Sequence, residues 1–221
     1  MSRRAATAVC LLLVAGCAHP AERASAPSVG GAARHVDPAN IRRVRRDLPT
    51  GYEVIVESGA AAPSASWGLG RAGVANPARC ATLADPVGGD GQGAQGISAS
   101  GAGGTVYAVV VAAPRGVLAL DQSLVAQCRQ WSMTGGRASA HVRLVDPPHI
   151  DAAETLGMAT EISTSVEGGN EIDSRASTFT AYLGDYYAFA AVVSDPGSPD
   201  PALTPQFAAD LLVKTVAAIR G

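Results

Sequence analysis

At 221 residues, of which 47% are hydrophobic, the chain is long enough to bury a sizeable core and short enough for one domain. Its 17 basic and 19 acidic residues leave a formal net charge of -2, so no basic excess indicates a nucleic-acid-binding protein. Aromatic residues make up only 5%, which predicts a core built mainly from alanine, valine, leucine and isoleucine.

The N-terminus has the pattern of an export signal. Two arginines precede an apolar run, Ala5 to Ala15, that is too short to cross a bilayer. The stretch Leu13-Val14-Ala15-Gly16-Cys17 then resembles the lipobox of bacterial lipoproteins. The resemblance implies cleavage after residue 16 and attachment of a diacylglyceryl group, typically carrying palmitate, to Cys17. Two acyl chains suffice for stable anchoring, so we expect a protein at the extracytoplasmic face of the cell membrane. A plain secretory signal is the alternative.

The four cysteines divide into two groups. Cys10 is removed with the signal peptide, and Cys17 is taken by the lipid. Cys80 and Cys128 remain, and an even pair in an exported domain predicts a disulfide bond, with two separate buried thiols as the alternative. Two cysteines without a nearby histidine are too few for a zinc site, and we expect no metal and no cofactor.

Residues 17–36 are small, polar and interrupted by proline and glycine, which predicts a flexible tether. Asp37-Pro38 then starts a helix that ends before Pro49. One face of this helix carries Ile41, Val44 and Leu48, and the others carry Arg42, Arg43, Arg45 and Arg46. The arginine cluster either attracts anionic lipid headgroups or is a solvated helix face, and we favour the second interpretation.

Strands alternate with a few helices in the remainder. Strands are predicted at 51–58, 97–100, 105–113, 138–145 and 155–166, and a hairpin at 175–182 and 186–193 turns at Gly184-Asp185. Helices are predicted at 77–84, 118–133 and after Thr204-Pro205. Cys80 and Cys128 fall on the first two of these helices, so a disulfide would fasten both to the sheet. Residues 37–221 are therefore expected to form a single α+β domain, with helices packed on a mainly antiparallel sheet and one disulfide.

Candidate sites are few. Gly91 to Gly96 fit G-x-G-x-x-G, but no strand precedes them and no helix follows, so we reject dinucleotide binding. His141, Asp146, His149, Asp151 and Glu154 lie close in sequence. His149-Ile150-Asp151 could belong to a metal or acid–base site, although solvated loop charges are the preferred interpretation. We assign no catalytic residue.

The lipobox, the tether, the Leu48-Pro49-x-Gly51-Tyr52 turn, the two cysteine-bearing helices and the terminal helix together resemble mycobacterial lipoproteins of unknown function. They are similar, more distantly, to the PknH-type extracellular sensor domain. The resemblance implies a non-enzymatic ligand-binding or sensing module whose ligand is a lipid, a glycan or a protein of the cell envelope. The alternative is a cell-envelope hydrolase that uses His149 and a nearby carboxylate.

Overall fold

A computed structural model of the chain describes residues 35–58, 62–70, 73–88, 93–113 and 116–221. In these ranges nine strands form one sheet in the order β1-β3-β4-β9-β8-β7-β6-β5-β2, and every neighbouring pair is antiparallel. The strands are β1 Glu53–Glu57, β2 Val74–Asn76, β3 Gln95–Gly101, β4 Gly104–Ala112, β5 Gln130–Gly135, β6 Ala138–Val145, β7 Glu154–Ser165, β8 Glu171–Tyr182 and β9 Tyr186–Ser194.

Helices are fewer and mostly short. They are α1 Ala81–Ala84, α2 Gln122–Gln127 and α3 Pro205–Arg220, with 3-10 helices at Pro38–Asp47, Pro63–Trp67 and Ala78–Cys80. The predicted α+β class is therefore wrong, because the described chain is mostly one large antiparallel sheet rather than a balance of sheet and helices. The physical reason is that segments with a helix-like spacing of apolar residues gain more by pairing in the sheet.

The segment 118–133 shows this most clearly. Only Gln122–Gln127 is helical, and Gln130–Gly135 is strand β5. Trp131 and Met133 are buried at alternate positions, opposite Val142 and Ala140 of β6. The four-residue spacings that suggested a continuous helix were compatible with a two-residue alternation, and pairing with β6 decided between the two periods.

Other predicted elements are confirmed within a few residues. Strands β3, β4, β6 and β7 occupy the predicted segments, and β8 and β9 form the predicted hairpin. Gly184 has a φ of 79° at its turn, a conformation that glycine adopts without the steric cost of a Cβ. Thr204 caps α3 by accepting a hydrogen bond from the Phe207 amide, and Asp37 caps the first 3-10 helix.

One side of the sheet, which we call the helix face, packs against α3 and the first 3-10 helix. Its core includes Ala108, Ala190 and Phe179 from the central strands. The buried side of α3 supplies Ala208, Ala209, Leu211, Leu212, Val216 and Ile219. Because β9 is apolar on both sides, it lies near the middle of the sheet and is covered on both faces.

The opposite side, which we call the disulfide face, is covered by the short helices. Cys80 and Cys128 form a disulfide bond with a Cα–Cα distance of 5.7 Å, and both residues are fully buried. Trp67 packs in the same core, and its indole N–H donates a hydrogen bond of 3.0 Å to the buried hydroxyl of Thr178. The disulfide thus fastens α2 and the 3-10 helix before α1 over the strands β5 to β8.

The predicted signal peptide (1–16), Cys17 and nearly all of the predicted tether (17–36) lie outside the described residues. Among the helices in the described ranges, none combines the length and the apolar character that crossing a membrane requires.

Candidate functional site

The helix face is open over strands β6, β7 and β8. Helix α3 and the first 3-10 helix cover β3, β4, β9 and part of β8, and their core ends at Phe179. Beyond this point the helix face of β6 carries Ser139, His141 and Arg143, which alternate with buried residues of the disulfide face. A strand with one apolar and one polar side is the expected sequence for a sheet whose second face meets water.

Three adjoining cavities follow this open surface, with volumes of ≈ 610, ≈ 350 and ≈ 350 Å³. His141, Glu161 and Arg175 line the first and second, while Arg143, Ala159 and Pro205 line the second and third. Because the cavities share these residues, they form one continuous depression. We call it the β6–β8 groove.

A row of three ionisable side chains crosses the floor of the β6–β8 groove. The strand register places His141 opposite Glu161, and Glu161 opposite Arg175. Cross-strand neighbours on one face have Cβ atoms about 5 Å apart, so the three side chains stand side by side. The Arg175 backbone amide also donates a hydrogen bond of 2.8 Å to the Ser194 hydroxyl. The row can therefore present a cation and an anion to the same ligand.

The walls of the groove come from the segment that leads into α3 and from its first turns. Pro205, Gln206 and Ala209 border the cavity nearest the β6–β7 loop, and Asp195 and Ala202 border the largest one. Asp195 accepts a hydrogen bond of 2.8 Å from the Gly197 amide, which holds the turn after β9. The groove thus lies between a sheet floor held by backbone hydrogen bonds and a helix end capped by the Thr204 hydroxyl.

The chemistry of the groove favours a polar ligand. Ser139, Ser163 and Ser194 supply hydroxyls, which both donate and accept hydrogen bonds, around the charged row. Ser132 also stands opposite His141 on β5, so hydroxyl, imidazole and carboxylate occupy neighbouring strands. In the described ranges no hydrogen bond joins these three side chains, whereas an activated serine nucleophile is hydrogen-bonded to its base. The groove therefore offers hydroxyl, imidazole and carboxylate groups from neighbouring strands to a polar ligand.

The cluster singled out around His149 does not converge. His149 Nε2 lies 3.3 Å from Asp151 Oδ1, but the two side chains are 90% and 76% exposed. Glu154 accepts hydrogen bonds from the Leu120 amide and the Gln122 side chain, so its carboxylate holds the segment before α2. His141 lies on the sheet in the β6–β8 groove instead. Among the described residues, no three metal-binding side chains come together.

Sequence reasoning did not find the β6–β8 groove. The alternating pattern of Ala138–Val145 predicted a strand, and the structure places His141 and Arg143 on its exposed side. The pattern did not show that Glu161 and Arg175 complete the row, because these residues come from strands that pair with β6 or with its neighbour only in the tertiary fold. The only sequence signal was the excess of serine and charge at alternate positions of three consecutive strands.

A comparison with solved structures found a protein with the same fold. The chain is similar to an uncharacterized protein from Mycobacterium smegmatis, an ortholog of Rv0999, whose X-ray structure superposes with a TM-score of 0.60. The two share 21% sequence identity, and the match covers 86% of this chain and 100% of the other, which shows a common fold. No match was found among curated proteins.

A family model described as "Domain of unknown function (DUF5642)" matches residues 37–220. The match spans nearly all of the part described above, including every strand of the sheet and α3. The expectation of a family of unknown function is thereby confirmed. The chain belongs to the DUF5642 family.

Proposed function

We propose that this protein is a lipoprotein of the cell envelope, anchored through Cys17 on the extracytoplasmic side of the membrane. We propose further that its β6–β8 groove binds a polar envelope ligand of the glycan class. The observation that carries the ligand-binding proposal is the row of His141, Glu161 and Arg175, which stands on the part of the helix face that α3 leaves uncovered. The resemblance of the sequence to the PknH-type sensor domain is in line with such a role.

The Cys80–Cys128 disulfide supports the extracytoplasmic location. Disulfide bonds persist in oxidising compartments and are rare in a reducing cytosol. The lipobox at Cys17 supports the anchor, since a cysteine directly after the small residues of an export signal is what lipid attachment requires. Mass spectrometry of the membrane-extracted protein tests this part. We expect an N-terminal Cys17 carrying a diacylglyceryl group, and a Cys17→Ala variant should be absent from the membrane fraction.

The position of the groove supports a ligand of the envelope rather than of the lipid bilayer. The Asp37 amide donates a 2.7 Å hydrogen bond to the Ile219 carbonyl, so the chain enters the domain beside the last turn of α3. Gln206 in the first turn borders the groove, and it lies 13 positions before Ile219, a helical rise of about 20 Å. A ligand at the groove would therefore meet the domain at the end of α3 farther from the tether.

Hydrolysis is the alternative, and the 3.3 Å contact between His149 Nε2 and Asp151 Oδ1 is the observation that favours it. We prefer binding, because a catalytic pair must be held in fixed geometry near a nucleophile, and these side chains are almost wholly solvated. Turnover of envelope glycans that disappears in a His149→Ala variant would reverse this preference.

A titration tests the groove directly. Soluble muropeptides, which carry hydroxyl, carboxylate and amino groups together, are added to the mature chain and followed by NMR chemical shifts. We expect shifts at His141, Glu161 and Arg175. A Glu161→Gln/Arg175→Gln variant should bind about tenfold more weakly or worse, because hydrogen bonds to charged groups contribute about 1.5–3 kcal/mol each.

The matched control is Arg137→Gln/Glu167→Gln, which makes the same charge changes in two exposed turns outside the groove. This control should bind like the parent chain, and both variants should keep its stability to within about 0.5 kcal/mol, as surface substitutions do. If neither muropeptides nor neutral envelope oligosaccharides shift the groove signals, the ligand class is wrong.

A further inference from the structure

The first 3-10 helix, Pro38–Asp47, carries a basic surface that the groove does not use. A 3-10 helix has three residues per turn, so residues three apart stand directly above one another. Ile41 and Val44 are buried at this spacing, and the same spacing aligns Arg42 with Arg45 and Arg43 with Arg46. All four arginines are exposed. They form two parallel rows on the solvent side of the helix, which we call the arginine rows.

The arginine rows have no carboxylate partner among the residues that the structure describes. Like charges three residues apart on a helix repel each other and destabilise it. The acidic residue on this helix, Asp47, is already paired with Lys214 at 3.4 Å. Across the described ranges, no ion pair joins any of the four arginines to a carboxylate, and the one hydrogen bond of these side chains runs from Arg46 Nε to the Arg43 carbonyl. Within the described part of the chain, no carboxylate therefore offsets this repulsion.

The arginine rows also lie where the chain leaves the domain toward Cys17. Asp37, the N-cap of this helix, is joined to the last turn of α3 through Ile219. Only 20 residues separate Asp37 from Cys17 in the sequence, and even fully extended they reach no more than about 70 Å. An anchored Cys17 would therefore keep the arginine rows within reach of the bilayer surface.

We propose that the arginine rows dock on the anionic headgroups of the membrane to which the chain is tethered. A guanidinium is permanently charged and binds phosphate in a bidentate fashion, which suits phospholipid headgroups. The partner surface supplies the negative charge that the helix lacks, and Ile41 and Val44 keep the helix fixed on the sheet. Docking would hold the domain by its tether end and leave the β6–β8 groove accessible. This orientation of the domain rests on the lipid anchor proposed above, whereas the contact between the arginine rows and the headgroups does not.

Co-sedimentation with vesicles tests the contact without the anchor. The chain from residue 17 carries Cys17→Ser, so neither the signal peptide nor a lipid contributes. Vesicles are either phosphatidylcholine alone or an equal mixture of phosphatidylglycerol and phosphatidylcholine. We expect binding to the anionic vesicles only, and loss of binding at high salt, because salt screens exposed charges.

Replacing Arg42, Arg43, Arg45 and Arg46 by Gln should weaken binding to the anionic vesicles at least a hundredfold, since each basic residue contributes about fivefold near a charged surface. The matched control replaces four other exposed arginines, Arg79, Arg129, Arg137 and Arg143, by Gln and has the same net charge. It should bind almost like the parent, and a version with Lys at the four helix positions should keep most of the binding. Circular dichroism checks that each variant is folded.

Equal loss of binding in the two Gln variants would show an effect of net charge and overturn the proposal, as would no binding to anionic vesicles at all. A chain that binds dissolved anionic polymers but not vesicles would also overturn it. These outcomes are separate from those of the proposed function, because lipid attachment is measured by mass and ligand binding by the muropeptide titration.

Discussion

The covered and the open halves of the helix face differ in composition although they belong to one sheet. Under α3, β9 presents Ala188, Ala190 and Val192, all of them buried. Two strands away, β7 presents Ala159, Glu161 and Ser163, which are half-buried or exposed. The backbone pairing is the same in both halves. What differs is whether a helix lies above, and the polar half is therefore the surface left available for a ligand.

The largest effect on stability is expected when the same charged side chain is introduced into each half of the helix face in turn. Ala190→Glu would bury a carboxylate beneath α3, where an unpaired ion costs several kcal/mol, a large fraction of the 5–15 kcal/mol by which domains are typically stable. Ala159→Glu adds the same group to the floor of the β6–β8 groove, where water reaches it. We expect the first variant to be unfolded by circular dichroism and the second to melt like the parent. Equal destabilisation would mean that the groove is not open.

A smaller loss of stability is expected when the disulfide bond on the disulfide face is removed. The Cys80–Cys128 bond closes a loop with a sequence separation of 48, and the chain-entropy argument assigns about 4 kcal/mol to such a loop. Urea unfolding of a Cys80→Ser/Cys128→Ser variant should show a loss of up to this amount. Adding a reductant to the parent should give a similar loss, while the reductant leaves the double variant unchanged. If neither the double substitution nor the reductant changes the stability, the short helices stay packed on the sheet without the bond.

The smallest effect concerns two tyrosines of the β8–β9 hairpin, Tyr182 and Tyr187, which are buried on the disulfide face. Burial, followed by the charge of Glu154, raises the pKa of Tyr182 far above its ordinary value of 10.0. Burial, followed by the charges of Asp85 and Tyr182, does the same for the pKa of Tyr187. Below about pH 10 both phenols are neutral in the folded and the unfolded chain, so they add no pH dependence. Above it only the unfolded chain ionises, and stability falls by about 1.4 kcal/mol per pH unit for each tyrosine.

Urea unfolding at successive alkaline pH values measures this slope. The parent should lose stability above about pH 10, and a Tyr182→Phe/Tyr187→Phe variant should lose much less, because its buried rings cannot ionise. A slope that is unchanged in the variant would show that water reaches these two phenols in the folded protein.

Much of the fold was predictable from local pattern. Strands β6 to β9 have strict alternation or continuous apolar runs, and Gly184-Asp185 marks their hairpin. Asp37 and Thr204 are standard helix caps, and each caps the predicted helix. These features depend on neighbours within a few residues, so a single sequence contains them. The segments 62–67, 74–76 and 130–135 were missed, because their conformation depends on partners such as β6 and Thr178 that are distant in sequence.

Local patterns in the chain reveal the export signal, the pair of cysteines available for a bond, the arginine-rich segment and most of the strands. The folded chain was needed to show that the strands join in one nine-stranded sheet, that α3 covers half of one face, and that His141, Glu161 and Arg175 stand in one row. The reason is that periodicity reports which side of a strand is polar, whereas the order and register of strands, which bring polar sides together, come from contacts between distant residues.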